Sequence, residues 1–127
     1  MRILQFTVAI PAGVLINANQ RMHWSKKARY TRAIRSTTHF KAHQYRELRM
    51  TAADCVVWIH WHDRRRRDEH NYFGTLKAAI DGCVDAGLIV DDSTKYLTGP
   101  DICVGEGLSK TPGHVELTFQ FTERGVS

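Results

Sequence analysis

Asp54-Cys-Val-Val-Trp-Ile-His-Trp-His62 is the stretch on which the fold turns. Cys55, Val57, Ile59 and Trp61 alternate with Val56, Trp58, His60 and His62, and β-branched and aromatic residues fill both sets, which is the period of a strand in mid-sheet. The strand runs into Asp63-Arg-Arg-Arg-Arg-Asp-Glu-His-Asn71, a loop too charged to be buried without partners. Beyond it the period becomes helical. Tyr72, Leu76, Ile80 and Cys83 recur at three- or four-residue spacing, predicting a helix over about 72–86 that Asn71 caps and Gly87 stops. The opposite side of that helix carries His70, Gly74, Lys77, Ala78, Asp81 and Asp85.

Working towards the amino end, Leu4, Phe6, Val8 and Ile10 share one face of a strand that Pro11 and Gly13 end. A loop over 11–23 holds Asn17, Asn19 and Arg21, and Ser25 is placed to cap a helix predicted over 26–48. Its packed stripe reads Tyr30, Ile34, Thr37, Phe40, Gln44 and Leu48. Towards the carboxyl end, Asp91-Asp92 open a turn, and strands are predicted over 96–104 and 115–121, the latter from the alternation of Val115, Leu117, Phe119 and Phe121. Residues 123–127 read as a loose tail. The order β-α-β-α-β-β predicts one α+β domain over residues 1–127, a mixed sheet with helices packed on it.

Composition agrees with a folded domain: 127 residues, 43% hydrophobic and 24% charged. The net charge of +5 favours a polyanionic partner, with nucleic acid first among them. The charge is also divided along the chain. The first 46 residues hold nine of the eighteen basic residues and none of the thirteen acids, so that part carries +9 and the remainder −4. A metal-dependent nuclease needs such a division, because one part attracts phosphates and the other holds cations. Lys26, Lys27, Arg29 and Arg32 on the first helix are the corresponding DNA-facing cations. Cys55, Cys83 and Cys103, odd in number and widely spaced, predict reduced, buried thiols in a cytoplasmic protein. The first apolar run is broken by Gln5 and Thr7, and no stretch is long enough to predict a membrane span.

Carboxylates flank the second helix, Asp68 before it and Asp91-Asp92 after it. Asp68 and Asp92 together predict a Mg²⁺ site, since that ion takes one or two carboxylates and completes its shell with water and phosphate. Arg64, Arg65, Arg66 and Arg67 stand directly upstream, and guanidinium groups grip phosphate oxygens in pairs. Lys77 adds a cation for the scissile phosphate, or else forms an i,i+4 ion pair with Asp81. An alternative is zinc held by His60, His62, His70 and Asp68, although their spacing fits no established zinc pattern.

The segments 63–71, Lys77-Ala-Ala-Ile-Asp81 and Ala86-Gly-Leu-Ile-Val-Asp-Asp92 closely resemble the RusA family of Holliday-junction resolvases. Asn17-Ala-Asn19, Tyr30-Thr-Arg-Ala-Ile-Arg35 and the final strand extend the likeness more weakly. The resemblance implies a homodimeric, Mg²⁺-dependent endonuclease that nicks four-way DNA junctions symmetrically. It implies catalytic roles for Asp68, Asp92 and Lys77 and a place beside the metal for Asn71, with Asp81 and Asp91 in support. His70 stands where the family pattern has an Asp, and a few residues are inserted before Lys77. As a catalytic and metal-ligating residue, His70 exchanges an anionic oxygen for a neutral nitrogen and shifts the preference towards Mn²⁺. The second expectation is a branched-DNA-binding protein whose nuclease site has decayed at His70. A third is a general single-strand binder, which needs exposed aromatic rings, whereas Trp24, Trp58 and Trp61 read as packing residues.

Overall fold

The final strand organises the sheet. In the computed structural model, which describes residues 2–125, β4 (His114–Glu123) buries Val115, Leu117, Phe119 and Phe121 on one face. It lies between β1 (Ile3–Pro11) and β2 (Ala53–His60) and is antiparallel to both. β3 (Leu97–Val104) joins the other side of β2 in parallel, giving a four-stranded mixed sheet in the order β1-β4-β2-β3. A parallel pair needs a crossover connection. Here it is made by α2 (Phe73–Asp85), which packs beside α1 (Trp24–Ala42). The result is a small α+β domain.

The core is the apolar face of the sheet against the two helices. Leu4, Phe6, Val8 and Ile10 from β1 and Cys55, Val57 and Ile59 from β2 meet Ile34, Leu76, Ala79, Ile80 and Cys83 there. Burial pushes the Cys55 and Cys83 thiols up, so both stay protonated and inert, while Cys103 is half-buried. Met50 and Ile89 form a parallel bridge, and Met50 exchanges backbone hydrogen bonds with Leu88 and Val90 at 2.7 and 3.2 Å. That bridge anchors the chain just before Asp91-Asp92. Among the described residues no helix is long and apolar enough to cross a membrane.

Several local expectations are corrected. The first helix begins at Trp24 and is capped by His23, whose Nδ1 accepts from the Ser25 N–H at 3.2 Å, so Ser25 is not the cap. It ends at Ala42 and tightens into a 3₁₀ segment, His43–Leu48. Its buried stripe is Ile34, Thr38 and Ala42, whereas Phe40 is 87% exposed and Gln44 is exposed. The cause is Gly82, which lets α2 approach so closely that only small side chains fit between the helices. A Cβ on Gly82 would lie 2.5 Å from the Arg35 carbonyl oxygen and 3.0 Å from Thr38 Cβ. The same approach buries Ala78, expected on the polar side. Asn71 caps nothing: Asp68 caps a 3₁₀ turn, Glu69–Tyr72, and α2 follows it directly. The second strand stops at His60, two residues early: the Ile59 carbonyl still accepts from Gly105 N–H beside the end of β3, but the Trp61 carbonyl accepts from the Ser109 N–H of the loop beyond it, both at 2.8 Å. Residues 123 and 124 are not loose, since Glu123 belongs to β4 and Arg124 N–H bonds the Ala52 carbonyl at 2.9 Å. The rest of that expected tail, 126–127, lies outside the described residues.

Candidate functional site

The charged loop after β2 is held by its last arginine. The Arg67 side chain is only 6% exposed, lies over the Trp61 ring at 4.8 Å, and pairs with Asp63 at 2.6 Å. It also donates to the Arg65 carbonyl at 2.9 Å. Asp63 is held below the usual carboxylate range by the Arg65 backbone N–H and then by Arg67, so it stays charged. Arg67 is thus used within the fold, while Arg64, Arg65 and Arg66 are exposed. Of the four arginines expected at phosphate, three are exposed, Arg65 standing also 3.9 Å from Asp63.

Asp68 follows, with its Oδ1 accepting from the His70 backbone N–H at 3.0 Å. The next turn is fastened to the loop after β1. The Ala18 N–H bonds the Asn71 carbonyl at 2.7 Å, Asn17 Nδ2 donates to the Tyr72 hydroxyl at 3.2 Å, and Ile16 and Thr75 exchange hydrogen bonds at 2.9 and 3.1 Å. Tyr72 in turn sets its ring edgewise on Trp61 at 4.8 Å. These contacts enclose a polar cleft of about 320 Å³. Asp68, Asn71, Arg65, Arg66 and Arg67 line it, together with Tyr72 and the Asn17–Gln20 loop. Such a surface offers guanidinium and amide donors to a phosphate, with one carboxylate among them.

A second cluster lies on α2 and the turn beyond it. Lys77 Nζ donates to Asp81 at 2.7 Å and also to Asp92, so one ammonium is held between two carboxylates. Burial pulls Lys77 down, but its hydrogen bonds to Asp81 and Asp92 outweigh that and raise it, so it remains protonated at neutral pH. The hydrogen bond from Lys77 holds Asp92 below the usual range. Asp91 Oδ1 accepts from the Asp92 N–H at 2.8 Å and fixes the turn. From α1, Arg35 reaches Asp85 at 2.8 Å and Asp81 at 4.0 Å.

Asp68 lines the polar cleft, whereas Asp92 and Lys77 line a smaller cavity of about 140 Å³ with Phe73, Ile80 and Pro100. Among the described residues no three His, Cys, Asp or Glu side chains are gathered to hold a metal ion. The alternative zinc set, His60, His62, His70 and Asp68, is likewise not assembled: His62 pairs with Asp63, and His60 lines another cavity with Glu116 and Lys110. The donor chemistry fits a hard divalent cation, with carboxylate oxygen at Asp68, Asp81 and Asp92, and the last two already hold an ammonium.

Lys26, Lys27, Arg29 and Arg32 are all exposed on α1. Among the tryptophans, Trp61 is buried and Trp58 half-buried, but Trp24 is 76% exposed and is not a packing residue. Sequence reasoning assigned no role in the site to Gln20 and placed Tyr72 in the core. The signal for the loop was Asn17-Ala-Asn19, whose first side chain accepts from the Asn19 N–H at 2.9 Å and turns the backbone. Compared with known proteins, the chain matches no family model and no curated protein.

Proposed function

We propose that the protein is a metal-dependent endonuclease acting on four-way and other branched DNA as a homodimer, the activity its RusA-like segments imply. The observation that carries this reading is the polar cleft, where Asp68 and Asn71 share walls with Arg65 and Arg66. Arg64, Arg65 and Arg66 grip the DNA backbone as bidentate donors. Lys77 remains protonated and neutralises charge at the phosphate being cut. Asn71, tied through its carbonyl to Ala18, keeps its amide at the cleft wall. Asp81 and Asp91 hold Lys77 and the Asp92 turn respectively. The residues that would hold a divalent cation are Asp68 and Asp92, with His70 beside Asp68. Bound there, Mg²⁺ or Mn²⁺ supplies an activated water for phosphodiester hydrolysis. A two-fold dimer presents two such sites to a two-fold junction.

A second reading is a branched-DNA-binding protein with impaired cleavage. It is favoured by Lys77 lying between Asp81 and Asp92, and by Asp68 and Asp92 lining different cavities. The test is cleavage of a mobile synthetic four-way junction against a matched linear duplex, with Mg²⁺ and Mn²⁺ side by side at fixed salt. Paired nicks in opposing strands of the junction alone are expected, and Asp68→Asn should abolish them, by at least about a hundredfold, while leaving junction binding intact. Tight binding without nicks in either metal would establish the second reading, and unchanged cleavage by Asp68→Asn would remove that residue from the site.

A further inference from the structure

Trp24 stands where an apolar ring has no reason to be in a protein that only packs. It precedes Ala42 by eighteen residues, about five helical turns, and so shares the azimuth of Thr38 and Ala42, which are fully buried against α2. Yet Trp24, at the first position of α1, is 76% exposed, and the buried residues of that helix begin only at Ile34. The ring is not loose in sequence context. His23 lies beside it at 5.5 Å between ring centroids, and the His23 Nδ1 is itself fixed by the Ser25 N–H.

The charged sequence neighbours are all cationic. Arg21, Lys26 and Lys27 are exposed within three residues of Trp24, and no acid occurs anywhere before Glu47. The same short segment also reaches the cleft. Asn17, Asn19 and Gln20 line it, and Ala18 and Asn17 are bonded to Asn71 and Tyr72. An exposed indole among cations, four residues from a phosphate-gripping cleft, has the chemistry of a platform for an unstacked nucleobase.

We infer that Trp24 stacks on an unstacked base of branched or single-stranded DNA whose backbone lies along the α1 cations towards the cleft. The inference rests on the DNA-binding part of the proposed function and not on cleavage. A linear duplex stacks every base on its neighbours, whereas a single strand or an unstacked branch point bares a base face, so Trp24 contributes preference for branched over linear DNA.

The test uses the full chain with a short single-stranded oligonucleotide, a four-way junction and a linear duplex, read by anisotropy and by intrinsic tryptophan fluorescence. Quenching of the wild-type protein by the single strand is expected, and Trp24→Phe should lose the quench while keeping most of the affinity. Trp24→Ala should weaken single-strand and junction binding about tenfold and leave duplex binding unchanged. Phe40→Ala removes an equally exposed ring about 160° around the same helix and should change nothing. The inference is overturned if Trp24→Phe keeps the quench, if Trp24→Ala binds the single strand like wild type, if Phe40→Ala matches its loss, or if wild type binds no single strand. Nicking is scored separately: single-strand quenching through Trp24 without any nicking would leave this inference standing and remove the nuclease.

Discussion

Four consecutive arginines invite one role, but their side chains divide into two. Both Arg66 and Arg67 line the cleft, but Arg67 is almost wholly buried against Trp61 and paired with Asp63, so its cation stiffens the loop, whereas Arg66 is exposed. Arg67→Ala should therefore cost about 1–2 kcal/mol of stability, the scale of a desolvated cation–π contact, with little change in the salt dependence of DNA binding. Arg66→Ala should do the reverse, leaving stability unchanged and reducing the slope of log affinity against log salt by about one. Urea denaturation and salt-series anisotropy on the two variants separate these roles, and equal effects on both measurements would show the division to be wrong. The single residue at His70 carries a different question. Its backbone N–H bonds Asp68, so whatever its ring contributes, the turn that presents Asp68 depends on its main chain and is kept by any non-proline substitution.

At the scale of elements, the helix pair decides both packing and charge. A Cβ at Gly82 would press on the α1 backbone at Arg35 and His39, so Gly82→Ala should destabilise by about 1–3 kcal/mol. Gly13, with open space around it, should accept alanine without loss, and the two are compared by chemical denaturation. The same interface carries Arg35–Asp85, while Lys77–Asp92 ties α2 to the turn beyond it, and these cations hold both carboxyl groups below the ordinary aspartate range. A group with a depressed folded pKa stabilises above its unfolded value and loses that contribution as pH falls through the folded one. Melting temperature should thus hold from neutral pH to about pH 5 and fall below about pH 4. Asp85→Asn should flatten part of that fall in calorimetry, and an unaltered acid limb would show the pair to be idle.

These elements also show what was legible beforehand. The strands were, because alternation in Leu4 to Ile10 or Val115 to Phe121 needs no knowledge of a partner. The α1 stripe was misread, because a search for large apolar residues chose Phe40 while the contact at Gly82 selected Thr38 and Ala42. In the site, Asp68, Asn71 and the arginines were readable from adjacency. The Arg35–Asp85 contact and the fastening of Asn17 to Tyr72 join residues some fifty positions apart, and nothing local announces them.

Across the whole molecule, the exposed cations of α1 and the loop beyond β2 make DNA association a matter of ion release. Junction affinity should fall steeply with salt, each neutralised phosphate adding about −0.9 to the slope. Reversing Lys26, Lys27, Arg29 and Arg32 to glutamate together should reduce that slope by several units and slow association in stopped-flow mixing. A slope near zero in the wild type would mean that this surface meets no phosphate. The sheet carries one more implication. β1 is paired along its length with β4, Ile3 opposite Thr122, and Arg2 meets Glu123 through both main chain and side chain. During synthesis, then, the first strand leaves the ribosome without its neighbour and must wait for nearly the entire chain to follow. With its longest-range contacts closing last, the domain is expected to fold only once β4 has emerged, and the apolar face of β1 stays uncovered until then.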